Sequence, residues 1–309
     1  MGYPVKNALI RLEMISRLTT NPQYSVALLA LQKVRVLLVY LARSMLEWKQ
    51  LHKAHQHSKK ARGAYAHKDA LIIAGGPSVN NLNVAKVLAA QTSGEIDVFA
   101  LNWFPLSDLA KTLVPNFFCL SDPLNRPGSE TTFKGHKSEK IWNYLNSHPQ
   151  IKLILPHNWM KHDQTMQNKV EIWIDDRELV GWSRSNSVLR SRGYSSITAH
   201  KTIAAAIHMG YRTIYLIGLD NSVFKNVVVN ERNELGDGPS HFYDSNSTST
   251  LIHNKHTFPF GMQDYLYNHS AIFQDLRHSF FDISIVNLDK NSITDVFQKS
   301  ESQFVQTQQ

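Results

Sequence analysis

Residues 71–78 read LIIAGGPS, an apolar run that breaks abruptly into a glycine turn. A short run without polar side chains predicts a central parallel strand that is covered on both faces. Gly75 and Gly76 lack Cβ atoms, so the chain can turn sharply there and a ligand can approach the backbone N–H groups. The stretch therefore predicts an inner strand of an α/β sheet, after which the chain makes a tight turn.

The residues after this turn favour the start of a helix. Pro77 fixes φ, and Ser78 is expected to cap a helix over residues 79–91. A strand, a turn of small residues and a helix start form the place where α/β proteins hold a phosphate or nucleotide. The turn is neither G-x-G-x-x-G nor a P-loop, because no Lys follows it, so a plain turn without a ligand is an equal alternative.

Composition narrows the classes of partner. The 309 residues are 42% hydrophobic, which suffices for one large α/β domain with an appendage or for two small domains. A net charge of +8 suits anionic ligands or an anionic membrane surface. We expect no nucleic-acid partner, because zinc-finger spacing, RNP-like aromatics and a helix-turn-helix are not found. The single Cys119 excludes an intramolecular disulfide and a multi-Cys metal site.

Cellular location follows from the same features. One cysteine fits a reducing cytoplasm, and the first apolar run starts only near Val26, without the small-residue cleavage pattern of a secretory signal. We therefore expect a cytoplasmic protein, placed at the inner face of the cytoplasmic membrane if its N-terminal helix contacts lipid. The oligomeric state is left open.

Residues 1–67 differ from the rest and are expected to form an N-terminal helical extension. Residues 26–46 predict a long helix, but Lys33, Arg35 and Arg43 argue against a membrane-spanning segment. Two alternatives stay open, a helix packed on the main domain and an interfacial helix with basic flanks, giving peripheral membrane contact through residues 26–60. The polar segment 49–60 is expected to be a solvated linker.

From residue 68 to 300 the pattern alternates between strands and helices, which predicts one domain with a mostly parallel sheet. Residues 222–262 are polar and long for a connection, so we expect them to form a lid. Residues 301–309 are expected to form a polar tail. The predicted helices cover residues 82–91, 137–147, 197–209 and 263–278, and the predicted strands cover residues 70–74, 97–101, 116–120, 151–155, 170–174, 213–219 and 282–288.

Short polar side chains follow four of these strands. Ligands of open α/β sheets bind beyond the carboxyl ends of the strands, which predicts one shared small-molecule site there. Each residue could also be an ordinary turn former. The candidates are Gly75, Gly76, Pro77 and Ser78 after the first strand, Asn102 after the second, Asp122 after the third, and Gly218, Asp220 and Asn221 after the strand at 213–219.

A second anion-binding feature is predicted at the start of the 197–209 helix. Ser195, Ser196 and Thr198 lie there, where free N–H groups and the helix dipole favour a phosphate, although simple capping would explain one of them. Upstream, Arg184, Arg190 and Arg192 either add positive charge or are solvated loop residues. Asp175 and Asp176 are interpreted as a turn, and His200 and His208 as packing or surface positions.

The order of these motifs resembles the bacterial sialyltransferases of glycosyltransferase family 42 and related proteins of surface-polysaccharide clusters. Residues 74–78, AGGPS, are similar to the family's G-x-G-P-S, with Gly75 where many members have Asn. The resemblance covers residues 70–297. Its other parts are LNWF at 101–104 for C-N-x-F, the Asp122-Pro123 pair, ITA at 197–199 leading to HMGY at 208–211, IYLIGLD at 214–220 for I-Y-L-x-G-x-D, and LDKNSI at 288–293 for L-x-P-N-S-L.

The resemblance implies a Rossmann-like GT-A-variant fold and an inverting transfer of a nonulosonic acid from a CMP-activated donor to a glycan acceptor. It also implies no cofactor and no divalent metal, and no D-x-D motif is obvious here. The CMP-sugar would be held by Gly76, Ser78, Asn102, Asp122 and Thr198, with Asp220 and Asn221 at the next strand end. Two tyrosines that bind the donor phosphate in the family are replaced here by residues 221–224, NSVF.

The general base of the family is a histidine of the lid. The SHFY run at 240–243 is most similar to the family's S-H-Y segment, which favours His241, with His253 and His256 as alternatives. Two further classes stay open: an ATP-dependent pterin pyrophosphokinase-like enzyme, in which Asp122 and Asp220 would hold Mg²⁺, and a non-catalytic accessory protein of polysaccharide assembly.

Overall fold

The computed structural model describes residues 22–129, 132–133, 136–161, 167–179, 182–193, 197–220, 227–229, 231–232, 235–237, 242, 250–253, 280 and 284–306. Within them the helices are α1 (Pro22–Ser58), α2 (Val84–Thr92), α3 (Glu139–Ser147) and α4 (Thr198–Met209). The strands are β1 (Asp69–Ile73), β2 (Ile96–Leu101), β3 (Phe117–Cys119), β4 (Thr132–Phe133), β5 (His136–Lys137), β6 (Lys152–Pro156), β7 (Val170–Ile174), β8 (Ile214–Ile217), β9 (Val227–Val229), β10 (Leu235–Asp237), β11 (Thr250–His253), β12 (Ile285–Asn287) and β13 (Gln298–Lys299).

Eight of these strands form one sheet in the order β13-β12-β8-β1-β2-β3-β6-β7. Every neighbouring pair in it is parallel. From β1 the order runs outward through β2, β3, β6 and β7, and the chain then returns to the other side of β1 with β8. This arrangement confirms the predicted α/β class and places a topological switch point between β1 and β8.

The two faces of the sheet bury alternate residues of each strand, as the pleat requires. Leu71 and Ile73 of β1 face the cluster that contains Val87 of α2 and Trp142 of α3. Ile72, between them, faces the other cluster, which is built largely from α4. All five residues of β1 are buried, which explains why its sequence is an apolar run without polar alternation.

The predicted boundaries agree with the structure for most elements. Each of the seven predicted strands overlaps an observed strand of the large sheet, and the predicted 137–147 and 197–209 helices correspond to α3 and α4. The predicted helix at 263–278 lies outside the described residues. In the predicted lid, β9, β10 and β11 form a three-stranded antiparallel sheet.

Helix α1 is longer than the apolar run predicts and extends to Ser58. The prediction of a solvated linker over residues 49–60 was wrong, because Leu51, Ala54 and Ser58 are buried. The hydroxyl of Ser58 donates to the carbonyl of Trp173 at 3.1 Å and accepts the Trp173 N–H at 2.8 Å. The last part of α1 therefore docks on the edge strand β7 and covers its backbone.

A charged cluster supports this docking. Burial alone would raise the pKa of Asp175, but hydrogen bonds from Arg177 and His55 hold it well below its usual range. Arg43 and His157 bind Glu47 in the same region. Of the helices that the structure describes, α1 included, none combines the length and apolar character needed to cross a bilayer.

Residues 301–309 were predicted to form a polar tail. The part of this segment that the structure describes, residues 301–306, packs on the domain. Phe304 is buried and lies edge-on to the ring of Tyr215, with 5.5 Å between ring centroids. The backbone N–H of Gln306 donates to the carbonyl of Asn81 at 2.9 Å. One aromatic side chain thus anchors an otherwise polar segment.

Candidate functional site

The predicted site residues converge because their strands are neighbours. In the order β8-β1-β2-β3, all parallel, the four carboxyl ends lie side by side on one edge of the sheet. Three spacings of about 4.8 Å separate β8 from β3, so the row spans roughly 14 Å. That edge holds Gly218 and Asp220 after β8, Gly75, Gly76, Pro77 and Ser78 after β1, Asn102 after β2, and Asp122 after β3.

Ser78 and Asp220 join the turns that follow β1 and β8. The Ser78 backbone N–H donates to Asp220 Oδ2 at 2.8 Å, and the Ser78 hydroxyl donates to Asp220 Oδ1. The same hydroxyl accepts the N–H of Gly218 at 2.9 Å. The prediction that Ser78 caps a helix was wrong: it lies in the 3-10 turn Pro77–Asn81, and α2 is capped by Asn83.

The glycines at this junction allow the two turns to touch. Gly76 donates its N–H to the carbonyl of Gly218 at 2.7 Å. A Cβ at Gly76 would lie 2.6 Å from the carboxylate of Asp220, and Gly218 has a φ of +79°. The absence of a side chain at Gly76 therefore allows close packing of the two turns, and the Gly76 N–H is already hydrogen-bonded within the protein.

Asp220 is a buried carboxyl group with an acidic neighbour. Burial raises its pKa to about 6, the charge of Asp289 and a hydrogen bond with it act in the same direction, and the bonds from Ser78 oppose them. Asp289 follows β12, the strand next to β8, and is itself buried. The acidic neighbour thus opposes the ionisation of Asp220.

Sequence reasoning did not identify Asp289 as a site residue. It lies in the LDKNSI segment, whose resemblance to a family motif was its only signal. Ser292 of that segment donates its hydroxyl to the carbonyl of Leu219, and the Ile293 N–H donates to the carbonyl of Asp220. The motif thus holds the chain after β8 in place.

A cavity of about 280 Å³ adjoins this motif. Its lining includes Asn81, Asp289, Lys290, Asn291, Glu301 and Gln306.

Asn102 adopts a conformation that is uncommon for a residue with a side chain. Its φ of +51° makes it the one non-glycine residue in the described part of the chain with positive φ. Its Oδ1 accepts a hydrogen bond from Asn125 Nδ2 at 3.3 Å. Asn125 is fully buried, and its own Oδ1 has no hydrogen-bond partner among the described residues. Sequence reasoning identified only Asn102 of this hydrogen-bonded asparagine pair.

Asp122 and Thr198 complete the row. Asp122 caps the short 3-10 turn Pro123–Asn125 by accepting the Leu124 N–H at 2.9 Å. Thr198 is buried at the first turn of α4, and its hydroxyl lies 2.8 Å from that of Ser121 after β3. Ile197 is the N-cap of α4, and none of the described side chains caps this helix. The positive end of α4 therefore points at the carboxyl edge of the sheet.

The remaining predicted residues divide into two groups. Ser195, Ser196, Asn221, His241 and His256 lie outside the described residues. His253 belongs to β11, but its side chain lies outside the described ones. Phe242, the chain neighbour of His241, donates its N–H to the carbonyl of Gly75 at 3.0 Å. It also packs near Phe104. This contact brings the predicted lid to the glycine turn.

The other charged residues considered in sequence are mainly structural. Arg192 is buried and binds Asp176 and Glu178, and Lys201 of α4 binds Asp176 at 2.7 Å. Arg192 thus neutralises protein carboxylates, whereas Arg184 and Arg190 are exposed. His200 is fully buried, and burial lowers its pKa to about 3, which agrees with a packing role. No cluster of three metal-binding side chains occurs among the described residues.

Comparison with known proteins finds a likeness of structure. No protein-family model matches the chain, and no curated protein matches it. A solved structure described as MAf glycosyltransferase from Magnetospirillum magneticum AMB-1 aligns with 93% of this chain at 13% identity and a TM-score of 0.45. The alignment spans 43% of that protein's length. A likeness at this level does not assign the chain to a family.

Proposed function

We propose that the protein is a glycosyltransferase that transfers a nonulosonic acid, with inversion, from a CMP-activated donor to a glycan acceptor of bacterial surface polysaccharide. One observation carries the proposal. The Ser78–Asp220 junction lies at the switch point between β1 and β8, where open α/β sheets bind nucleotides. The order of the sequence motifs favours a CMP-sugar over other nucleotides.

The donor would lie across the row of strand ends. Asn102 offers an amide group of the kind that reads the edge of a base such as cytosine, and the hydrogen bond from the buried Asn125 fixes the position of that amide. Thr198 and the N–H groups at the start of α4 would stabilise the departing phosphate. Asp220, next to the glycine turn, would line the end of the donor site that is opposite Asp122.

The chemistry requires a base for the acceptor hydroxyl. Displacement at an anomeric carbon with oxocarbenium character is assisted when a neutral histidine removes the proton of the attacking hydroxyl. We assign this role to His241, with His253 and His256 as alternatives. The contact of Phe242 with Gly75 supports the assignment, because it ties the adjacent chain to the donor turn. Closure of the lid would also exclude water from the activated sugar.

A second candidate, an ATP-dependent pyrophosphokinase-like enzyme, is favoured by Asp220 and Asp289, two acidic residues beside the glycine turn. The pair predicted from sequence, Asp122 and Asp220, follows strands about 14 Å apart, which is too far for both to bind one ion. Asp289, however, is hydrogen-bonded to Asp220. Carboxylate oxygens are the ligands that Mg²⁺ prefers, so Asp220 and Asp289 would hold the cation in such an enzyme.

A nucleotide panel separates the two candidates. Thermal unfolding is followed with CMP, CDP, UDP or ATP, each with and without Mg²⁺, for the wild type and for Asp289→Asn. Stabilisation by CMP that needs no Mg²⁺ and survives in Asp289→Asn is the result expected from the glycosyltransferase. Stabilisation by ATP alone, dependent on both Mg²⁺ and Asp289, would favour the pyrophosphokinase. No stabilisation by any nucleotide would contradict both and favour an accessory protein.

A further inference from the structure

Helix α1 has two dissimilar sides. One side docks on β7 and the adjoining 3-10 turn His157–Lys161, through residues such as Arg43, Glu47 and Ser58. The opposite side, which we term the outer α1 face, consists of exposed apolar residues spaced three or four positions apart. They are Leu31, Val34, Leu38, Leu41, Met45 and Trp48, flanked by Val39 and Leu46.

The outer α1 face is large for a surface that contacts only water. From Leu31 to Trp48 it runs about 25 Å along the helix. Met45 and Leu46 are 76% and 82% exposed, and Trp48 is 60% exposed. A contiguous apolar patch of this kind marks an interaction site, whereas apolar residues scattered singly on a surface do not.

The exposed charged residues of α1 itself all have the same sign. Lys33 and Arg35 are exposed near one end of the apolar stretch, and Lys49 and Lys53 near the other. Glu47 is the one acidic residue of α1, and it is bound to Arg43 and His157 on the docking side. The outer face is therefore apolar in its middle and positively charged at both ends.

We propose that the outer α1 face binds an anionic lipid surface, with α1 lying in the plane of the bilayer interface. The apolar middle would enter the boundary between headgroups and acyl chains, and the basic ends would contact anionic headgroups. Trp48 suits the interface, because tryptophan is enriched at this depth. Trp182, whose indole N–H donates to the carbonyl of Lys33, is a further exposed aromatic residue next to α1.

A second copy of the chain is a poorer occupant of this face. Two α1 helices paired in parallel would place Arg35 beside Arg35 and Lys49 beside Lys49. Paired antiparallel, they would place the Arg35 end of one helix beside the Lys49 end of the other. Both arrangements bring like charges together at both ends of the apolar stretch, which opposes association. An anionic bilayer complements both ends at once.

Vesicle binding of the full chain tests this proposal without any measurement of transfer activity, so its outcome is independent of the proposed function. Co-sedimentation is measured with vesicles of phosphatidylcholine alone and with about 30% phosphatidylglycerol. We expect binding to the anionic vesicles, weakened when the salt is raised from about 0.1 M to about 0.5 M. Failure to bind the anionic vesicles would overturn the proposal.

Matched variants locate the binding surface. Val39 is 51% exposed on the outer face, and Val229 of β9 is 53% exposed elsewhere. Val39→Glu is expected to weaken vesicle binding at least about tenfold, whereas Val229→Glu leaves it unchanged. The pair Arg35→Gln and Lys49→Gln should weaken it by about tenfold to thirtyfold, and the exposed control pair Arg62→Gln and Lys86→Gln should not.

A second copy of the chain on the outer α1 face would be detected as a dimer in the absence of lipid. Sedimentation equilibrium without lipid is measured for the wild type and for Val39→Glu, with circular dichroism confirming that both are folded. A monomeric wild type that binds anionic vesicles supports the proposal. A dimer that Val39→Glu converts to a monomer, or equal vesicle binding by Val39→Glu and the wild type, would overturn it.

Discussion

Ser78 donates both its backbone N–H and its hydroxyl to the carboxylate of Asp220, which lies 142 residues further along the chain. The bond joins the turns after β1 and β8 at the point where the strand order reverses. Gly76 and Gly218 permit the contact, since side chains there would collide with the opposite turn. The glycine turn is thus one half of a junction whose other half is the G-x-D sequence after β8.

Ser78→Ala is expected to destabilise the protein by about 1–3 kcal/mol, because the buried carboxylate loses a donor and the Gly218 N–H loses its acceptor. Urea unfolding measures the change. Ser147→Ala is the matched control, since its hydroxyl binds a backbone carbonyl at an exposed helix end, and it should change stability by less than about 0.5 kcal/mol. Equal effects of the two variants would contradict the stabilising role assigned to the Ser78–Asp220 junction.

Asp220 predicts a specific dependence of stability on pH. Its pKa in the folded protein is raised to about 6, above the value of about 3.9 expected in the unfolded chain. The folded state therefore holds this proton more tightly, and the resulting stability is present below about pH 4 and is lost as the pH rises through about 6. The loss corresponds to about 2–3 kcal/mol.

The measurement is the difference in unfolding free energy between Asp220→Asn and the wild type across this pH range. The variant should lack the part of the decline between about pH 4 and pH 6 that Asp220 causes, because it lacks this carboxyl group. Asp289→Asn should shift the decline to lower pH by removing the neighbouring charge, and the exposed Asp108→Asn should not alter it. Identical pH profiles for Asp220→Asn and the wild type would refute the assignment.

Helix α1 belongs to the fold of the domain, so its removal is expected to be costly. Deletion of residues 1–60 takes away Ala54 from the core and Ser58 from its bonds to Trp173. The melting temperature should fall by at least about 10 °C. Deletion of residues 1–30 spares these contacts and should leave it nearly unchanged. Similar melting temperatures for the two truncations would show that the docking contributes little.

Apolar patterning predicted seven of the eight strands of the large sheet, because these seven are largely buried and read as short apolar runs. It missed β13, whose two residues are polar and exposed. The same local reasoning misassigned Ser78, whose partner Asp220 is distant in sequence and appears only once β8 lies beside β1. It also missed Asp289 and Asn125, which resemble ordinary turn residues until the strand ends are assembled. The docking of residues 49–58 and of Phe304 depends on surfaces formed by other parts of the chain.

His241→Ala is expected to reduce transfer by about 10²–10⁴-fold, the usual contribution of a general base, with donor affinity nearly intact. The acidic limb of the pH–rate profile should disappear with it. His253→Ala and His256→Ala are the controls, and loss of activity in one of them with full activity in His241→Ala would move the assignment. Full activity in all three variants would exclude a histidine of the lid as the base.

Calorimetry of CMP binding is the most direct test of the central claim, that the row of strand ends binds the donor nucleotide. Asn102→Gly is the informative variant, because glycine accepts the φ of +51° and removes only the side chain. We predict that the wild type binds CMP without added metal and that Asn102→Gly binds it about 5- to 150-fold more weakly, the loss expected when a hydrogen-bonding partner is removed. Unchanged affinity in the variant, or no binding of CMP by the wild type, would contradict the account.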